Sequence, residues 1–192
     1  RRSGSMSSAP EVPEVGGLKL GRVVYDAATI ARRVGELGQA VTEAYPAGEL
    51  LLLGLLKGSF IFSADLARAI DRPLQVDFLV ASSYGHATTS SGNVRLLYDP
   101  ATDLAGKHVL VVEDIIDTGR TLQRLLTLLA SRQPASLAVC ALLDKKMAPP
   151  IPEVRFTGFH CPDAFLVGYG LDHAERYRHL PFIAELAQEQ DG

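Results

Sequence analysis

An α/β domain built on a mostly parallel twisted sheet is the fold this sequence predicts, and two features predict it. Short, almost wholly apolar runs recur at residues 49–56, 76–82, 108–112 and 136–143, and runs of that length read as buried strands. Between them lie segments whose apolar residues recur at helical spacing. Strands alternating with helices imply right-handed crossovers and a parallel sheet. The 192 residues suit one domain, and 47% apolar with 21% charged residues is an ordinary globular balance that excludes a disordered chain.

In chain order, residues 1–17 are rich in Ser, Gly, Pro and Glu; residues 1–5, ahead of Met6, read as a vector scar and the rest as a flexible tail. Asp26 is a good N-cap for a helix carrying Ile30, Val34, Leu37 and Val41, ending near Tyr45. The strand at 49–56 comes next. Phe62, Leu66 and Ile70 set a second helix, which Asp71-Arg72-Pro73 stops. After the strand at 76–82, residues 83–94 are small and polar. That is long for a connector, and long loops in compact domains usually serve as lids or binding loops. The strand at 108–112 delivers Glu113 and Asp114 to its end, and Leu122, Leu125, Leu126 and Leu129 mark one face of the next helix. The strand at 136–143 closes the repeating pattern. Beyond Lys146 the chain turns to Pro-rich loops, short strands and an expected helix around 173–178. This stretch, with the N-terminal segment, is expected to form a small hood within a domain spanning 18–187, and 188–192 a tail.

Composition limits the function. A net charge of −3 and a pI near 6.0 argue against a nucleic-acid or anionic-membrane partner. The two cysteines, Cys140 and Cys161, make neither a disulfide scaffold nor a zinc spacing, which fits a reducing, cytoplasmic setting. The apolar runs are far shorter than the roughly 18 residues that cross a bilayer. His86, His108, His160, His173 and His179 show no metal spacing.

In open parallel sheets ligands gather at the carboxyl ends of the strands. The residues there are Lys57-Gly58-Ser59, Ser82-Ser83-Tyr84, Glu113 through Thr121, and Asp144-Lys145. The richest string is Glu113-Asp114-Ile115-Ile116-Asp117-Thr118-Gly119-Arg120-Thr121. Backbone N–H groups at a helix start, with the Thr118 and Thr121 hydroxyls, make a phosphate cradle, and Gly119 lets the backbone approach closely. Adjacent carboxylates beside it suit Mg²⁺ or ribose hydroxyls. Any one of these acids alone reads as a helix cap or a solvated side chain, with Asp117 as the N-cap. The string as a whole does not, because two acids ending a buried strand need a reason.

This string resembles the phosphoribosyl-pyrophosphate (PRPP) motif of type I phosphoribosyltransferases, in the form of the hypoxanthine–guanine branch. Leu56-Lys57-Gly58-Ser59 resembles that family's pyrophosphate loop, where the peptide before the lysine can be cis. Ser82-Ser83-Tyr84-Gly85 resembles the start of its lid. Leu143-Asp144-Lys145 and the run from Pro162 to Asp172 resemble its purine hood. The four motifs fall in the family's order.

The resemblance implies the roles. Asp117 would exchange a proton with purine N7 as general base or acid. Glu113 and Asp114 would bind ribose hydroxyls directly or through Mg²⁺, and Asp172 a second Mg²⁺. Thr118, Gly119, Arg120 and Thr121 would hold the 5′-phosphate. Leu56, Lys57 and Gly58 would meet pyrophosphate through their backbone, and Arg178 through its guanidinium. Lys145 would donate to O6 of a 6-oxopurine, which disfavours adenine; Phe165 would stack on the base, and the Leu166 backbone would bond its edge. Ser83 and Tyr84 would belong to the lid. Singly, Phe165 reads as core, Lys145 as a solvated strand end and Arg178 as a surface charge; their company gives them weight.

Many relatives carry an arginine about four residues after the purine-contacting lysine. Here Pro149 stands near that position, leaving Lys146 or Arg155 to substitute. His173 replaces a frequent Tyr. The implied activity is purine salvage by a homodimer or homotetramer, with Mg²⁺ as cofactor and PRPP and a 6-oxopurine as substrates. Three alternatives compete: a PRPP- or nucleotide-sensing regulator on the same fold, a xanthine or adenine phosphoribosyltransferase, and a P-loop nucleotidase. No G-x-x-x-x-G-K-[ST] spacing supports the last.

Overall fold

A computed structural model describes residues 20–83 and 94–187. Six strands form the main sheet: β2 (Leu50–Leu55), β3 (Gln75–Ser83), β4 (Val94–Tyr98), β5 (His108–Ile116), β6 (Ser136–Asp144) and β7 (Val154–His160). Their order is β4-β3-β2-β5-β6-β7, parallel throughout except for the antiparallel β3–β4 pair. A second sheet of three antiparallel strands, β1 (Leu20–Tyr25), β9 (Ile183–Leu186) and β8 (Leu166–Val167), forms the hood.

Strand alternation divides the core. Leu50 and Leu52, Leu110 and Val112, and Ala138, Cys140 and Leu142 face one side. There they meet Ile30, Val34, Leu37 and Val41 of α1 (Ala27–Ala44), and Phe62 and Leu66 of α2 (Phe60–Ala69). Leu51 and Leu53, Val109 and Val111, and Val139 and Ala141 face the other side. They pack on Leu122, Leu125, Leu126 and Leu129 of α3 (Arg120–Ala130). Both faces of the sheet are thus covered, which is why its strands read as unbroken apolar runs. The Asp26 side chain caps α1 by accepting from the Thr29 N–H at 2.7 Å. Burial pushes the Cys140 thiol up to about 12 and makes it an inert core residue.

Several expectations need correction. Residues 173–178 form no helix. They fold as tight turns, with His173 and Arg176 bonded reciprocally through their backbones and positive φ at Ala174, Glu175 and Tyr177. The strand after His108 runs on to Ile116, because β6 continues to pair with it as far as Ile116↔Asp144. Glu113 and Asp114 therefore project from a strand rather than from the loop after it. Strand β4 was not anticipated, since its apolar residues are partly exposed on the sheet edge. Val154–His160 extends the main sheet through β6 instead of joining the hood. No helix among the described residues is long and apolar enough to cross a membrane.

Candidate active site

The carboxyl ends of β2, β5 and β6 open into three adjoining chambers. The first, about 400 Å³, follows β5 and is lined by Glu113 and the turn from Ile115 to Leu122. Gly119 starts α3 with φ 73°, a left-handed conformation that glycine takes without penalty. A Cβ there would crowd Ile151 and Ala148. The sequence-based N-cap, Asp117, is instead two residues earlier and exposed, free to face a ligand. The first turn of α3 presents unpaired N–H groups toward this chamber, as an anion site requires.

The second chamber is shared by Leu55, Leu56, Gly58, Glu113, Asp114 and Thr121. The Leu56-Lys57 peptide is cis. Ser59 anchors the turn, its buried hydroxyl donating to the Leu55 carbonyl at 2.7 Å. Gly58 lies against the Asp114 carboxylate, and any Cβ at that position would overlap it. Glu113 and Asp114 are neighbours on β5. Glu113 Oε1 accepts the Asp114 N–H at 3.1 Å, and Asp114 Oδ1 accepts the Ile115 N–H at 2.8 Å. Desolvation, reinforced by the Asp114 charge, pushes the Glu113 carboxyl well above the usual range.

The third chamber is lined by Asp114, Asp117, Lys145, Phe165, Leu166 and Asp172, among others. Lys145, at the end of β6, donates its backbone N–H to the Ile116 carbonyl at 3.0 Å. Its ammonium is 3.4 Å from Asp163 and 3.9 Å from Asp117. The Phe165 ring is 54% exposed, so it is not core. It meets His173 edge-on, ring centres 5.3 Å apart.

The profile of the phosphoribosyl transferase domain matches residues 23–174. The chain belongs to the phosphoribosyltransferase family. It is 47% identical over 167 residues to a hypoxanthine phosphoribosyltransferase of Salmonella typhimurium, covering 85% of this chain and 94% of that protein. Identity to a hypoxanthine-guanine phosphoribosyltransferase of Bacillus subtilis is 44% over 166 residues, 86% of this chain and 92% of that one. The crystal structure of a Staphylococcus aureus hypoxanthine phosphoribosyltransferase superposes with a TM-score of 0.84 at 40% identity, covering 90% of this chain and 95% of that chain.

In this phosphoribosyltransferase the fold brings Glu113, Asp114, Asp117, Thr118, Gly119, Arg120, Thr121, Leu56, Gly58, Lys145, Phe165, Leu166 and Asp172 around the three chambers. Lys57 and Arg178 do not line them. The Lys57 ammonium pairs with Glu175 at 3.0 Å. Arg178 donates to the Gly170 carbonyl at 2.7 Å and pairs with Asp172 at 3.3 Å. The two candidate substitutes for the absent arginine are placed elsewhere. Arg155 sits at the amino-terminal end of β7, over the Phe156 ring, and Lys146 is 4.0 Å from Asp144. Ser83 ends β3, whereas Tyr84 and His86 lie outside the described residues. Two residues escaped the sequence reading: Asp163, beside Lys145, and Glu175, beside Lys57 and Arg178. Asp163 lies within the hood motif and Glu175 within the segment expected to be helical, so an acid within three residues of a proposed cation or stacking ring was the available signal. Among the described residues, no cluster of three or more His, Cys, Asp or Glu could enclose a metal.

Proposed function

We propose that this enzyme transfers the 5-phosphoribosyl group of PRPP to hypoxanthine, and to guanine, as a purine salvage step that releases pyrophosphate. The observation that carries this reading is the Lys145–Asp117 pair across the chamber floored by Phe165 and Leu166, next to the α3 phosphate turn. An ammonium and a carboxylate at that separation address two neighbouring groups of one bicyclic base. Lys145 donates to O6, and Asp117 exchanges a proton with the imidazole nitrogen N7. Adenine presents a donor at position 6 and would leave the ammonium unpaired. Phe165 stacks on the ring, and the Leu166 backbone bonds its edge.

Thr118, Gly119, Arg120 and Thr121 hold the 5′-phosphate and so fix the ribose against the base. The base nitrogen forms its bond to the anomeric carbon as the bond to pyrophosphate breaks, with inversion; the electron pair leaves with pyrophosphate. The Leu56-Lys57-Gly58 backbone would meet the departing group, and Arg178, beside Asp172 and outside the chamber lining, would supply a cation to it. Two adjacent carboxylates, with the Glu113 pKa raised chiefly by desolvation and further by the Asp114 charge, form a donor set suited to a divalent cation. Glu113, Asp114 and Asp172 would hold the ion, which when bound neutralises charge on the leaving pyrophosphate. The reading places the enzyme in the cytoplasm as a homodimer or homotetramer.

Initial rates with PRPP and Mg²⁺ on hypoxanthine, guanine, xanthine and adenine test it. Turnover of 6-oxopurines without adenine is expected. Turnover of adenine would remove the role given to Lys145, and no turnover with PRPP still bound would favour a ligand-sensing regulator.

A further inference from the structure

The Glu175 carboxylate joins two segments that are distant in sequence. It accepts from the Lys57 ammonium at 3.0 Å and lies 3.3 and 3.5 Å from Arg178 Nη2. In the proposed function the Leu56-Lys57-Gly58 turn and Arg178 serve the pyrophosphate end; the role of Glu175 rests on that reading and adds the Lys57 ammonium to the backbone contacts of that turn. We infer that Glu175 is a displaceable counter-carboxylate, holding Lys57 and Arg178 until substrate arrives and competing with the diphosphate of PRPP for them.

Three observations support this. The first is backbone conformation: Ala174 and Glu175 both adopt positive φ, 49° and 62°, and the Glu175 N–H donates to Asp172 Oδ2 at 2.9 Å. Non-glycine residues take this conformation only where their surroundings demand it, and here it turns the carboxylate back onto Lys57. The second is local charge. Each cation is already paired, Lys57 with Glu175 and Arg178 with Asp172 and Glu175. A polyanion therefore finds neither of them free unless a carboxylate yields. The third is exposure. The Glu175 side chain is 63% exposed and that of Asp172 31%, so Glu175 is the acid that can leave at little cost. Arg178 stays in place when it does, because the Gly170 carbonyl holds Nη1 at 2.7 Å and Asp172 lies 3.3 Å from Nη2.

Titration calorimetry with inorganic pyrophosphate, with and without Mg²⁺, tests the inference on the full chain, alongside PRPP and hypoxanthine kinetics. Glu175→Gln removes the charge. Glu175→Gly removes it while suiting the left-handed backbone, and guards against a folding defect in the first variant. Both are expected to bind pyrophosphate about threefold or more tightly, the scale of exposed ion pairs, to lower the KM for PRPP in step, and to leave the KM for hypoxanthine unchanged. The gain should shrink in a Lys57→Met background. A merely structural Glu175 would instead give equal or weaker pyrophosphate affinity in both variants, and that result overturns the inference. If the wild type bound no pyrophosphate, the assignment of Lys57 and Arg178 would fail with it. If the wild type bound pyrophosphate and neither variant bound more tightly, only the competition role would fail.

Discussion

The Tyr169 hydroxyl donates to Asp65 Oδ2 at 2.5 Å, tying the hood to α2 across the cleft's outer seam. Asp65 also pairs with Arg68 one turn on, so the acid is held from both sides. Desolvation, followed by this hydrogen bond, pushes the Tyr169 phenol far above its ordinary value, so the bond persists across the working pH range. Tyr169→Phe deletes the donor while keeping the ring. Urea unfolding should show a loss of about 1.5–3 kcal/mol, the scale of a hydrogen bond to a charged group. Because the same loop carries Gly170, which packs on the Gly58 carbonyl, the KM for PRPP should rise with it.

On the proposed roles, the Lys145–Asp117 pair separates base choice from chemistry. Lys145→Gln should raise the KM for hypoxanthine tenfold or more and leave the KM for PRPP nearly unchanged, since the ammonium faces only the base chamber. Asp117→Asn should lower kcat by about 10²-fold or more, the usual scale for losing a general acid–base group. Steady-state kinetics on both substrates would separate the two effects. Equal losses in both variants on both substrates would show instead that the chamber had collapsed.

How much of the fold and site was legible in the chain depended on how local each signal was. The buried strands and the helices of the main layer were readable because each carries its own periodicity, as Leu122, Leu125, Leu126 and Leu129 do on α3. The turn after β5 was readable because its functional residues are consecutive. The hood was harder. Residues 173–178 mimic a helix in composition, yet Glu175 among them is held by Lys57, 118 residues away, which no short window contains. The length of β5 was hidden for the same reason. Two acids suggest a strand end, and only pairing with β6 carries the strand past them.

Gly119 offers a direct test of the phosphate turn. Its φ of 73° is left-handed, and an added Cβ would come within 2.8 Å of Ile151 Cδ1 and 3.0 Å of Ala148 Cβ. Gly119→Ala should cost about 1–2 kcal/mol in stability, from the left-handed backbone and the crowded methyl together. It should also raise the KM for PRPP, because the first N–H groups of α3 would shift. The KM for hypoxanthine, measured at saturating PRPP, should move less.

Asp77 predicts how stability responds to acid. The carboxylate lies beneath the loop after β4. Oδ2 accepts the Thr102 N–H at 2.9 Å and Oδ1 the Phe78 N–H at 2.7 Å. Desolvation alone would raise its pKa, but the hydrogen bonds from Thr102, Phe78 and Ala101 outweigh it and hold the carboxyl below its ordinary value. A depressed folded-state value means the unfolded chain binds the proton first as pH falls. The stabilisation is therefore complete above the unfolded value near 4 and fades as pH drops through the lower folded value. Urea midpoints for the wild type and Asp77→Asn should differ at pH 7 and converge below about pH 4. A gap that stayed constant down to about pH 3 would show that Asn fails to replace the shape of the carboxylate rather than its charge.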